Sequence, residues 1–284
     1  MFKLDANLII HDGPVYASTV LGNHLYTGGA DSLIKRFDLK SMKLDAFTVR
    51  ATSAPIAMVK IDENRLAVGF LNGEIYILDI NNRSTLFSYH FQSDGVFSLS
   101  VKHSTLYLGL ASGKFGVLCS DSYEWIFLDE IAHDKIRCIL PFDKHSICLA
   151  SKDGSIVHID SDTFQVIQRW NAHDGGVNTL LCLGEKGLVS GGKDGYIAVW
   201  DNSFNLIKRF PAHRGVVYDL LAINNCLISC SRDKSVKVWD LTTFEPIQKL
   251  MLHRQSVNKI AQQNENSFVT ASDDHQIAIW SHEA

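Results

Sequence analysis

The chain has 284 residues, 46% of them hydrophobic and 20% charged, and a formal net charge of −4. Apolar material is ample for a packed core, which excludes an intrinsically disordered chain. The acidic balance argues against a general nucleic-acid binder, which needs a basic field to neutralise phosphates.

In chain order, Met1 to Ile10 is broken by acidic and polar residues every two or three positions, so no signal-peptide core is expected. No apolar run approaches the roughly 20 residues of a membrane span. A first unit opens at His11 and passes through Thr27 and Asp31 to Phe37. The second carries Asn72 and ends at Leu78; the third ends at Leu118 and has Ser112-Gly113 where the others have Asp or Asn. The fourth holds His133, Leu149, Asp153 and Ile159. The fifth, sixth and seventh are the most regular, and each runs from a histidine (His173, His213, His253) to a tryptophan (Trp200, Trp239, Trp280).

The terminal apolar position thus recurs at Phe37, Leu78, Leu118, Ile159, Trp200, Trp239 and Trp280, at intervals of 39 to 41 residues. A second marker agrees, since His133, His173, His213 and His253 are each 40 apart. Runs such as Tyr196-Ile197-Ala198-Val199-Trp200 alternate with the period of a half-buried strand. The turn before that run, Lys193-Asp194-Gly195, joins a turn-forming Asp to a Gly that tolerates positive φ. A period near 40 with four short strands per unit is the signature of propeller blades. The expected fold is an all-β, seven-bladed β-propeller, four antiparallel strands per blade, with residues 1–284 forming one domain.

The His-to-Trp-Asp pattern resembles the WD-repeat (WD40) family, and the resemblance spans essentially the whole chain. It implies a hydrogen-bonded tetrad of Trp, Ser or Thr, His and Asp in a blade. The matching sets are Trp200, Ser190, His173 and Asp194; Trp239, Ser229, His213 and Asp233; and Trp280, Thr270, His253 and Asp274. The chemistry is self-consistent: an indole N–H only donates, a hydroxyl donates and accepts, imidazole relays and a carboxylate accepts. The first unit lacks only the Trp, the fourth keeps His133 and Asp153, and units two and three, with neither His nor Trp, are expected to rest on apolar packing alone. Four residues after Trp280 are too few for a further strand, whereas Leu4 to His11 aligns with Leu206 to His213. The N-terminal strand is therefore expected to complete the last blade and close the ring.

Six cysteines, Cys119, Cys138, Cys148, Cys182, Cys226 and Cys230, contain no C-x-x-C pair. They read as reduced, buried thiols of a cytoplasmic protein. Histidines repeated once per blade are spread around a ring and cannot converge on one ion. Asp160-Ser161-Asp162 and Asp273-Asp274 do not complete a calcium loop, and no nucleophile elbow or phosphate loop occurs. Gly28-Gly29 and Gly191-Gly192 occupy equivalent strand positions and read as packing glycines. Neither cofactor, metal nor catalytic residue is expected.

The resemblance implies a partner-binding face made by the residue before each turn Asp and by the start of each innermost strand. By position these are Ala30, Leu71, Ala111, Lys152, Lys193, Arg232 and Asp273, and Tyr16, Ala57, Phe97, Arg137, Asn178, Tyr218 and Asn258. Lys152, Lys193 and Arg232 fall on three consecutive blades, and Lys135 and Arg137 join the same arc. Aromatic residues and Arg are the types that carry interface energy, and a basic arc suits an acidic or phosphorylated segment. The expected function is a non-catalytic scaffold or adaptor, monomeric on its own, that binds a protein or peptide partner, without nucleic acid or membrane. The alternative is a small-molecule-binding or hydrolytic propeller.

Overall fold

A computed structural model describes residues 1–283. Seven separate four-stranded antiparallel sheets stand around a central channel. Their innermost strands are Val15–Leu21, Pro55–Lys60, Val96–Lys102, Ile136–Pro141, Val177–Cys182, Val217–Ile223 and Val257–Asn264, which define blades one to seven. Each innermost strand touches the next, and Val257–Asn264 touches Val15–Leu21, so the ring is closed. The molecule is a seven-bladed β-propeller. The seventh blade takes its outer strand, Phe2–Ile9, from the N-terminus, paired antiparallel with Gln276–His282. Leu4 lies opposite Trp280 as Leu206 lies opposite Trp200.

The apolar core is divided among the seven blade-to-blade interfaces. Tyr107, Phe115 and Val117 of blade three pack on Ile147, Leu149 and Val157 of blade four, and each other junction has its own cluster. Second strands such as Ser146–Ser151 and Cys226–Ser231 are buried along their whole length because both faces are covered by neighbouring blades. Outer strands such as Ser84–His90 are mostly exposed. This is why the alternating pattern is clearest in the inner and outer strands and dissolves into continuous apolar runs between them.

Every blade uses the same turn chemistry between its second and third strands. A side-chain oxygen of Asp31, Asn72, Asp153, Asp194, Asp233 or Asp274 accepts the backbone N–H two residues on, at 2.8–3.2 Å. In blade three the Ser112 hydroxyl does this for Lys114 N at 3.3 Å. The departure from Asp is thus chemical and leaves the turn in place.

In blades five to seven the polar residues meet as chains. Trp200 Nε1 donates to Ser190 Oγ at 2.9 Å, Ser190 Oγ lies 2.8 Å from His173 Nε2, and His173 Nδ1 lies 3.1 Å from Asp194. The sixth blade repeats this with 2.9, 2.7 and 3.1 Å, and the seventh with 3.0, 2.9 and 3.1 Å. Blade one keeps His11 Nε2 at 2.9 Å from Thr27, with Asp31 on the other ring nitrogen. A glycine precedes this assembly for steric reasons, since a Cβ on Gly192 would run into the His173 imidazole and the Asp194 carboxylate.

His133 does not join its series. It is exposed, and Ala132 occupies the buried position instead. Ala132 N donates to Gly113 O as His173 N donates to Gly154 O and His213 N to Gly195 O. The loop from histidine to inner strand is one residue shorter here than in blade five, so the 40-residue spacing matches while the register does not. Blades two and three rest on apolar interfaces but add exposed polar clasps. Thr52 bonds Glu74 in one, and Asp94 accepts from Ser112 N and Oγ at 2.8 and 2.6 Å in the other.

The chains require ionised carboxylates and neutral imidazoles, which sets the pH dependence of stability. The His173 hydrogen bond and backbone N–H donors hold the Asp194 carboxyl at about 2, and Asp233 is lowered similarly. Burial pushes His11, His213 and His253 below their ordinary 6.5. Both kinds of group bind fewer protons folded than unfolded, so stability rises with pH. The urea midpoint is expected to be level above pH 7, to decline as pH falls through 6.5, and to drop again from pH 4 to 2 as the carboxylates protonate. Asp194 alone accounts for about 2 kcal/mol of the acid loss. A midpoint unchanged between pH 7 and 5 would contradict the histidine contribution.

Candidate functional site

In every blade the register between the innermost strand and its neighbour slips by one residue immediately after the first residue. A bulge leaves one residue out of the ladder and re-aims its side chain. The bulged residues are Tyr16, Ile56, Phe97, Arg137, Asn178, Tyr218 and Asn258. All seven line one cavity of about 390 Å³ at the mouth of the channel, with Leu71, Lys259 and Asp273 completing its wall. The blade-two position expected from sequence, Ala57, is one residue off. Ala57 is buried in the channel wall below and Ile56 takes the rim, because the bulge leaves Ile56 out of the ladder and keeps Ala57 in it.

The second set of rim residues stands on the same face, because the end of each second strand is opposite the start of the innermost one, as Gly29 is opposite Val15. Lys152, Lys193 and Arg232 are exposed there. Their charges are not equivalent. Lys152 Nζ is 3.2 Å from Asp134, whereas Lys193 and Arg232 have no ion pair among the described residues. Lys135 Nζ sits 3.4 Å over the Phe97 ring and the Arg137 guanidinium 5.8 Å from it. Burial, helped by Arg137 and Lys152, lowers the Lys135 pKa. The arc of five cations is therefore two exposed and unpaired ones, an exposed Lys152 paired with Asp134, and an aromatic-stacked pair.

The opposite wall is acidic. Asn258 donates to Asp273 at 2.7 Å and to Val15 O at 3.0 Å. Burial and the neighbouring Asp273 raise the Tyr16 hydroxyl, and the same two influences lead at Tyr218. Lys259, in the cavity wall, pairs at 3.5 Å with Asp219 deeper in the channel, which raises the lysine pKa. Asp219 also accepts from Thr179 Oγ1 at 3.2 Å and Ile260 N at 3.1 Å. Sequence reasoning passed over this pair, although a signal existed. The residue after each bulge reads Ala17, Ala57, Ser98, Cys138, Thr179, Asp219 and Lys259, small or modest until the last two, which are opposite charges on adjacent blades.

A wider hollow of about 530 Å³ lies at the opposite face, between Met42 and the Asn264-Glu265 turn. Hairpin turns form it, and the bulged residues take no part. Among the described residues no three His, Cys, Asp or Glu side chains are grouped to hold a metal ion. No helix of the described residues is long and apolar enough to cross a membrane.

The family model described as "WD domain, G-beta repeat" matches residues 164–201, 204–240 and 244–281. Each window starts one strand early, at the outer strand of the preceding blade, in keeping with the closure by Phe2–Ile9. The chain is 23% identical over 236 residues to WD repeat-containing protein 55 of Mus musculus, covering 80% of this chain and 61% of that protein. The homologous protein of Dictyostelium discoideum is 21% identical over 233 residues, covering 78% and 56%. F-box/WD repeat-containing protein sel-10 of Caenorhabditis elegans is 28% identical over 109 residues, covering 37% and 19%. The chain thus spans less than two thirds of the length of each of these relatives.

Proposed function

The chain is a WD-repeat propeller, and from that premise we propose that it acts as a non-catalytic protein-interaction platform. The docking face is the channel mouth and its rim, and the ligand is an exposed segment of a partner protein. One observation carries this reading: the scaffold repeats in all seven blades, yet each blade turns one bulged side chain into a single cavity, and these seven comprise five residue types. A closed ring whose polar chains are internally satisfied loses little conformational entropy when it binds, which favours affinity. Phe97, Tyr218, Tyr16 and Arg137 are the residue types that carry interface energy. Asn178 and Asn258 supply directional hydrogen bonds, and Lys193 and Arg232 supply long-range attraction for an acidic approach.

Ring closure through Phe2–Ile9 supports reading residues 1–284 as one domain. Six free cysteines support a reducing, cytoplasmic setting for a monomeric platform. The test is an affinity capture from native lysate with the wild-type chain beside a folded Lys152→Glu, Lys193→Glu, Arg232→Glu variant. Specific partners held by the wild type are expected to be lost or weakened about tenfold in the variant. Unchanged capture by the variant at several salt concentrations would remove this rim from the docking face.

A further inference from the structure

Two side chains that line the cavity at the channel mouth carry donors that no described residue accepts. Arg137 Nε and Asn178 Nδ2 are both buried and both lack a hydrogen-bond partner among the described residues. Arg137 has no ion pair there either, and burial lowers its pKa. The two stand at the same bulged position on adjacent blades and line the same cavity. Buried donors left without acceptors are costly, and an occupant that accepts from the Arg137 guanidinium and the Asn178 amide offsets that cost. The surrounding side chains narrow the chemistry. Phe97, Ile56 and Leu71 offer apolar wall to a hydrocarbon stem. Lys259 is neutralised by Asp219, and Lys152 by Asp134. Arg137 is therefore the one cation of the lining without a carboxylate partner among the described residues, and Asp273 stands on the wall as a fixed negative charge.

We propose that the partner anchors by one glutamate or aspartate side chain, whose carboxylate sits against Arg137 and Asn178 with its stem along Phe97, and that the site excludes a phosphorylated residue. A carboxylate is planar, carries a single charge and accepts at both oxygens, which matches two donors around one guanidinium. Lys135, Lys193 and Arg232 lie outside the lining, so within it the second charge of a phosphate meets only Arg137 and is repelled by Asp273. This inference rests on the reading of the channel mouth as a peptide-docking face.

The experiment pans a phage-displayed library of random linear peptides on the full chain. The strongest peptide is then synthesised with Glu, Gln or phosphoserine at its anchor. Enriched peptides are expected to share an acidic residue, and Glu→Gln in the peptide is expected to weaken binding about tenfold or more. Arg137→Gln in a chain with an unchanged thermal transition should produce the same loss, and the two losses should not add. Phosphoserine should bind more weakly than Glu, with the gap narrowed in Asp273→Asn. Peptides that bind without an acidic residue, an acid dependence that survives Arg137→Gln, or tighter binding of phosphoserine would each overturn the carboxylate anchor while leaving the platform standing. Failure to enrich any peptide would overturn the platform reading and the anchor with it.

Discussion

Deletion of residues 1–9 is expected to abolish the cooperative thermal transition of this protein and to leave an expanded, aggregation-prone chain. The deleted strand is an integral part of blade seven. Phe2 is buried, packs edge-on against Phe268 with ring centroids 5.0 Å apart, and is clasped by Gln248, which accepts from Phe2 N at 2.9 Å and donates to Phe2 O at 2.7 Å. Ala6 and Leu8 pack against the core between blades seven and one. Loss of the Phe2 side chain alone costs about 3 kcal/mol or more, against a total stability of order 5–15 kcal/mol. The deletion also strips the ladder from Gln276–His282, the strand that carries Trp280, which becomes an open edge. Near-UV circular dichroism and size-exclusion chromatography would report the change. Adding a synthetic peptide of residues 1–12 should restore the near-UV signal, because the missing element is a single strand. A truncated chain that melts as sharply as the full one, within a few degrees, would show that closure contributes little.

Ser229→Ala is expected to lower the melting temperature by roughly 5–10 °C through loss of about 3 kcal/mol. The Ser229 hydroxyl is fully buried and has two obligations. The Trp239 indole can only donate, so the serine oxygen accepts from it at 2.9 Å, and the serine proton is left to reach His213 Nε2 at 2.7 Å. That assignment puts the imidazole proton on Nδ1, facing Asp233 at 3.1 Å. Alanine leaves an indole N–H and an imidazole nitrogen buried without partners at one stroke. Thr27→Ala in blade one is the internal comparison. Phe37 replaces the tryptophan there, so only His11 loses its partner and about half the effect is expected. Ser229→Thr should be nearly neutral, since Thr270 does the same work in blade seven. Equal losses for Ser229→Ala and Thr27→Ala in thermal melts would mean that the tryptophan bond adds nothing.

The sequence by itself determined the number of blades, the four strands in each and the strand that closes the ring. These follow from local chemistry repeated at fixed spacing: alternating apolar residues, a turn oxygen two residues before a strand, and a tetrad whose members must satisfy one another. Blade count was legible even where the tetrad had gone, since apolar residues still mark the ends of units two and three. Register was less legible, as the two one-residue slips show. His133 kept the 40-residue interval but lies beyond Ala132, which holds the buried position, and Ala57 stood where Ile56 reaches the rim. A loop one residue shorter and a bulge one residue earlier leave the period intact and still change which side chain is buried or faces the rim.

Only the tertiary structure decided the state of each charge and the shape of the site. Lys152 answers to Asp134, Lys135 to the Phe97 ring of the neighbouring blade, and Lys259 to Asp219 across adjacent blades. Arg137 and Asn178 are left with donors that no residue nearby accepts. Those relations depend on how the blades splay around the channel and where the bulges turn seven side chains inward. That radial geometry is a property of the closed ring, and no single repeat encodes it.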